Sequence, residues 1–449
     1  MSTNFAFMKN INSAYYKTLD DIERESRIKP KNAARNCRAL LESFIGDLFK
    51  KNNISTEDTL HNNLKALFDQ SRELGIPWIE NVEYEVVDMN NRVTTISRNG
   101  LLYIKNLANA ASHVGLPTEK GQVSVVISSQ AIIKALRIFH ALFTGYYANR
   151  LKGEKNKFLD AKVPLGDYEI SQYYVPADSE RSKCIMEYVA SRRIGEFSKA
   201  RRFALIREYL PDEMEKLFLN RNVDTFSEAN PYIYADGVTV AKLNKIEESY
   251  ANFFIAYEFA DERPVVPLAK FLKKNKLEMK DRIDICLKIA QSMSKFHNAD
   301  DPIYHRMLTY ESILISDFTD KGEGYKPYIT KFDFAKITSI TEGTVYKNLT
   351  EAEAKETEKL SRYKLEAVAP DSKWDKVDIY SLGVLFIDIM LNGVSSKTIT
   401  ESTFEELIDA GISDGMIEII DEMLYEIPDE RPNINKVLEV ISEESKRFG

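Results

Sequence analysis

Residues 303–315 read IYHRMLTYESILI, and this stretch decides how the second part of the chain is understood. A His305-Arg306 pair sits between apolar flanks and is followed by Met307 and then by Glu311 and Ser312. A thioether accepts no proton at neutral pH, and a serine hydroxyl is a weak ligand for a hard cation. Downstream, residues 328–337 read YITKFDFAKI, a strand-like run entering a turn that carries Asp333, Phe334 and Ala335. Alanine gives that turn less backbone freedom than glycine would.

Upstream of this stretch the apolar period is two. YEISQYYV (168–175), KCIMEYVAS (183–191), RRFALIREYL (201–210), VTVAKLNKI (238–246) and FFIAYEF (253–259) predict a small antiparallel sheet. Between the third and fourth, residues 211–229 are predicted helical, with Pro211 in the first turn and acidic residues beside the positive end of the helix dipole. From Leu268 onward the apolar residues recur at helical spacing almost throughout, as in KDRIDICLKIAQSMSKFHN (280–298) and DIYSLGVLFIDIML (378–391).

The region before residue 150 is helical by the same test. KNAARNCRALLESFIGDLFKK (31–51), TLHNNLKALFDQSRELG (59–75), GLLYIKNLANAASHVG (100–115) and SSQAIIKALRIFHALFTGYYANRL (128–151) predict an all-helical domain. VEYEVVDMNNRV (82–93) alternates instead and reads as a short hairpin or a loop. Residues 151–166, lysine-rich and out of helical period, are expected to link the two parts.

The chain has 449 residues, 44% hydrophobic and 29% charged, which suits two folded domains and argues against extended disorder. Its net charge of -8 repels polyphosphate backbones and weighs against non-specific nucleic-acid binding. Cys37, Cys184 and Cys286 are scattered in apolar segments, without metal or redox spacing, and read as reduced core residues. No segment reaches the ~18 apolar residues of a membrane helix, and the first residues lack a signal-peptide run, so a cytoplasmic protein is expected.

The stretch at 303–315 resembles the protein-kinase catalytic loop, with His305 and Arg306 matching and Met307 at the catalytic aspartate. Ser312 stands at the metal-binding asparagine. In the same resemblance Asp333, Phe334 and Ala335 stand for Asp-Phe-Gly, and Ala369, Pro370 and Asp371 stand for Ala-Pro-Glu. Asp378 corresponds to an aspartate that braces the catalytic loop, and Arg431 to an arginine that pairs with Asp371. The connection PADSERS (176–182) lacks the glycines of a phosphate-cradling loop. Arg207 stands at the lysine of the Val-Ala-Ile-Lys strand, with Glu213, Glu215 and Glu228 as candidate acidic partners. ATP and magnesium are the implied cofactors, with Arg207, Asp333 and Glu258 as binding candidates and Asp333 as the metal ligand.

With four elements degraded, the resemblance is to a pseudokinase: a small five-stranded lobe with one helix (about 167–262) and a larger helical lobe (about 263–449). The alternative is a divergent kinase or nucleotidyl transferase using Asp333 with magnesium, with Glu311 or Asp317 replacing the missing base. Residues 1–150 resemble the DUF4145 group of HEPN-like helical bundles, through NAARNCRALLESFIGDLF and NLANAASHVG. Asn109 and His113 share a helix face there, but the arginine that HEPN ribonucleases place before the histidine is absent, since the nearest base is Lys105. An RNase reading through His113 is therefore secondary, and a hydrogen-bonded structural histidine is preferred. The whole is expected to be α+β, an all-α bundle followed by a bilobal kinase-like domain. A protein partner, a homodimer through the bundle and a scaffold or sensor role in a prokaryotic regulatory or defence system are the implied expectations.

Overall fold

The computed structural model describes residues 4–87, 92–112, 124–125, 127–152, 157–174, 185–195, 200–209, 237–242, 253–306, 308–332, 335–337, 373–394 and 398–448. The chain divides into two compact units, Met1–Ser171 with Leu243–Phe254, and Gln172–Lys242 with Ile255–Gly449.

The first unit contains α1 (Ser13–Glu25), α2 (Pro30–Lys51), α3 (Leu60–Asp69), α4 (Gly100–Ser112), α5 (Ser129–Tyr146) and the short α6 (Ala148–Leu151). Their starts are chemically marked. Asn12, Thr59 and Ser128 each accept main-chain N–H groups of the first turn, and Pro30 opens α2, where its missing N–H costs nothing. The apolar faces of α2, α4 and α5 meet in one core through Cys37, Leu41, Phe44, Leu107, Phe139 and Phe143. Burial pushes the Cys37 thiol up, which keeps it an inert core residue, and Cys286 is likewise buried and unbridged.

This unit is not all-helical. Strands β1 (Asn81–Val87) and β2 (Val93–Asn99) form an antiparallel hairpin in register Asn81↔Asn99 to Val87↔Val93, and β3 (Ser124–Val125) pairs with the other edge of β1. The alternation in VEYEVV explains the departure. Tyr84 and Val86 are buried while Glu83 and Glu85 face outward, a period that a helix would break. Residues 157–166 pack on the same unit. Phe158 stacks edge-on against Phe5 and His140, and the main-chain N–H of Gly166 donates to Arg24 O at 3.1 Å. Gly166 has φ +62, and a Cβ there would lie 2.5 Å from Ile28 Cδ1, so glycine is required twice over.

The kinase-like part carries a five-stranded sheet of order β4-β5-β6-β8-β7, from β4 (Glu169–Tyr174), β5 (Ile185–Arg193), β6 (Arg201–Tyr209), β7 (Val238–Lys242) and β8 (Phe253–Phe259). The helix expected over 211–229 lies outside the described residues. Next come β9 (Val265–Pro267), α7 (Leu268–Lys274), α8 (Met279–His297), β10 (Ile303–Tyr304), β11 (Ile313–Asp317), β12 (Tyr325–Ile329) and β13 (Lys336–Ile337). Then follow α9 (Trp374–Met390), α10 (Glu401–Asp409), α11 (Asp414–Met423) and α12 (Ile434–Phe448). The expectation of near-continuous helix after Leu268 is corrected by two small sheets, β12-β11-β9 and β10-β13. Their strands are too short to show a period of two before a turn interrupts them. Helix α9 is buried on every side, including Asp378 and Asp388, so it forms the post on which the site is built. No helix among the described residues is long and apolar enough to cross a membrane.

Candidate functional site

The pairing of β10 with β13 binds the ends of the segments 303–315 and 328–337 side by side. Asp378 of α9 then fixes the loop between β10 and β11. Its carboxylate accepts the main-chain N–H groups of His305 and Arg306, each at 2.7 Å, and lies 3.0 Å from His297 Nε2. Arg306 takes a left-handed backbone (φ 66) and lays its guanidinium over the Trp374 ring, 4.5 Å from the centroid.

The His305 ring is held from two directions. Nε2 lies 2.7 Å from Thr330 O, and a carbonyl only accepts, so this nitrogen carries the proton. Burial lowers the pKa of His305, which keeps the imidazole neutral. Phe332 packs on it with centroids 4.9 Å apart and meets Phe296 of α8 edge-on at 5.4 Å.

Ser312 is committed within the loop. Its Oγ accepts from Thr309 N at 3.0 Å and donates to Thr309 O at 2.7 Å, while Thr309 Oγ1 accepts from Glu311 N. This closed capping turn uses the hydroxyl that the metal-binding role would need.

Among the described residues the electrostatic centre is a buried cluster of four charges. Arg207 on β6 stands directly across from Glu187 on β5, and its Nε donates to Glu187 Oε1 at 2.9 Å. Lys331 Nζ reaches the same carboxylate at 2.8 and 2.9 Å and lies 3.8 Å from Glu311 Oε2. The Arg207 and Glu187 side chains are 2% and 1% exposed, those of Lys331 and Glu311 7% and 5%, so two acids and two bases neutralise one another out of water. Burial holds the Lys331 ammonium below its usual pKa, Glu187 and Glu311 oppose that fall, and Arg207 adds to it. Lys331 also has a left-handed backbone, φ 65.

The other sequence candidates are distributed as follows. Met307, Asp333, Phe334, Asp371, His113, Glu213, Glu215 and Glu228 lie outside the described residues. Ala335 is buried, and its N–H donates to Phe332 O at 2.9 Å. Glu258 is engaged by Arg192 through two nitrogens, with Nη2 donating at 3.1 Å. Arg431 directs its donors to main-chain carbonyls, Tyr425 O and Lys376 O at 2.8 Å each, and stacks over Tyr380. In the other unit Asn109 accepts from Arg38 Nη1 at 3.0 Å.

Sequence reasoning missed Glu187 and Lys331. Each is the charged residue inside an otherwise apolar strand-like run, CIMEYVA and YITKF, and opposite charges buried in two such runs need each other. Among the described residues no group of three or more His, Cys, Asp or Glu could hold a metal. A magnesium ion does not fit the described donor set, because Lys331 brings a cation into it and Ser312 offers only a neutral hydroxyl already engaged in its capping turn.

A family model described as protein tyrosine and serine/threonine kinase matches residues 182–441. The chain belongs to this kinase family. Members of the family generally use ATP and magnesium. The actin-regulating kinase PRK1 of Saccharomyces cerevisiae is 23% identical over 254 residues, covering 51% of this chain and 28% of that protein. A probable serine/threonine-protein kinase of Dictyostelium discoideum is 21% identical over 188 residues, 42% of this chain and 17% of that protein. The calmodulin-binding receptor-like cytoplasmic kinase 1 of Arabidopsis thaliana is 29% identical over 123 residues, 26% of this chain and 23% of that protein. The chain thus spans well under a third of each of these relatives. Among solved structures, the Mycobacterium tuberculosis PknI kinase domain aligns over 64% of this chain and 100% of that one, at 12% identity and a TM-score of 0.39.

Proposed function

We propose that this kinase-family chain is a pseudokinase that works by binding rather than by phosphoryl transfer. The observation that carries the reading is the pairing of Lys331 with Glu187 at 2.8 Å, beside Arg207. The segment 328–337 contains two phenylalanines, so Asp-Phe-Gly has two registers in this sequence. Phe332 is the one that packs on His305 and Lys331 the side chain that enters the charge cluster, which favours Lys331-Phe332-Asp333 as the counterpart. In that register an ammonium stands where the family holds a magnesium-binding carboxylate. Met307 at the base position and Ser312 in its capping turn point the same way.

Residues 1–150 serve as a DUF4145 or HEPN-like module, 151–166 as the connection, its second half packed on that module, and 167–449 as the pseudokinase, together a cytoplasmic scaffold or sensor with a protein partner. The module is expected to dimerise. Family membership favours one second reading, a divergent active kinase.

Incubation with γ-labelled ATP and magnesium or manganese separates the two. The pseudokinase reading expects no label on the protein or on a generic substrate. Transfer that disappears in Asp333→Asn would establish the active kinase instead.

A further inference from the structure

The sheet of the first unit has two edges, and the chain guards one of them. On the β1 side, β3 pairs with Val86 and Val87, and Lys134 Nζ donates to Glu83 O. On the other side β2 ends the order β2-β1-β3, and among the described residues no strand pairs with its outer edge. The strand reads VTTISRN, which opens on four consecutive β-branched residues and carries a single charge, Arg98. Edge strands that stay unpaired are short, or carry lysine, proline or a bulge. β2 has seven residues in unbroken register with β1 and none of those guards. Thr94, Thr95, Ser97 and Arg98 are exposed along it, and Val93 is 58% exposed.

We propose that β2 pairs antiparallel with β2 of a second copy of this chain, joining two three-stranded sheets into one of six strands. The inference rests on the expected dimer of the module and moves its surface from the helices of the bundle to the hairpin. The strand is complementary to itself. A two-fold axis through Ile96 engages all seven residues, setting Ile96 against the partner's Ile96, Thr95 against Ser97, Thr94 against Arg98 and Val93 against Asn99. Any other register leaves part of the strand unpaired. No like charges meet in this one, which matters for a chain of net charge -8, since Glu83 and Glu85 stay one strand back on β1. Ile96 lies across from the buried Tyr84, so the pairing carries that apolar face across the axis.

Sedimentation velocity of the full chain over a dilution series tests this, with two variants at one exposed position. The wild type is expected to be a reversible dimer. Thr94→Arg sets a second guanidinium against the partner's Arg98 at each end of the strand pair, and it should raise the dissociation constant about tenfold. Thr94→Glu sets a carboxylate against the same group and should lower the constant about threefold. Far-UV circular dichroism checks that both variants are folded, as the exposure of Thr94 leads one to expect. A dimer formed through the helices would not respond in opposite directions to opposite charges on β2. A wild-type dimer whose constant is unchanged in both variants, or moves the same way in both, overturns the proposal and returns the contact to the helices. A wild type that stays monomeric throughout the series overturns the proposal together with the expected dimer. Either result leaves the pseudokinase reading as it stands.

Discussion

Asp378 holds Arg306 by its main-chain N–H at 2.7 Å while Arg306 sits at φ 66, a conformation that non-glycine residues adopt at a cost of about 1–2 kcal/mol. The same carboxylate holds His305, so one buried side chain fixes two consecutive residues of the loop. Asp378→Asn turns one acceptor into a donor facing an N–H group. It should destabilise this unit by about 3 kcal/mol. The midpoint of urea unfolding measures this, and a change below about 1 kcal/mol would show that the loop is fixed by other contacts.

Arg207 and Lys331 depend on one carboxylate, so their contributions should not add. Arg207→Met and Lys331→Met each break a buried pair and should each cost about 3–5 kcal/mol. In the double variant Glu187 and Glu311 remain without those two cations, and the loss should exceed the sum of the single losses. A double-mutant cycle by denaturant unfolding gives the coupling directly. Additivity would mean that water or another group compensates Glu187.

The first unit should lose stability as pH rises above the ordinary carboxylate range. Glu23 is 0% exposed, and burial pushes its pKa up to about 8, partly opposed by the hydrogen bond from Asn4 Nδ2 at 2.9 Å. Below the unfolded value of about 4.3 the group is protonated in both states and the contribution is complete. Between there and about pH 8 the folded state keeps a proton that the unfolded state releases, so stability falls through that window and then levels off. Glu23→Gln should match the wild type at pH 4–5 and exceed it near pH 9, by roughly 3–5 kcal/mol. Urea titrations at the two pH values test this, and parallel behaviour of variant and wild type would refute it.

Met307→Asp restores the residue type of the catalytic base but should not restore phosphoryl transfer. Lys331 still places a cation at the Glu187 carboxylate, and Ser312 is still closed on Thr309. The assay is label transfer from γ-labelled ATP in magnesium. Activity in this single variant would show that the base alone was missing.

Much of this molecule is legible from residue order. The five strands of the small sheet follow their alternation, and the motifs at 303–315 and 366–386 mark a kinase-family chain. The hairpin at 81–99 was ambiguous because six alternating residues are too few to outweigh the helical period on both sides. The charge cluster was less accessible still. Arg207, Glu187, Lys331 and Glu311 come from β6, β5, the turn after β12 and the turn before β11, and no spacing rule links such distant positions. Asp-Phe-Gly is read from the sequence onto Asp333, Phe334 and Ala335, and that reading gives no role to Phe332, which packs on His305.

The buried charge cluster also acts as a ratchet on substitution. Changing Lys331 to aspartate in one step would crowd a third carboxylate against Glu187 and Glu311 in a buried site. Changing Glu187 first would leave two buried cations facing each other. Either substitution taken alone therefore passes through an unstable state, so the Lys331–Glu187 pair is held in place by the stability of the fold around it.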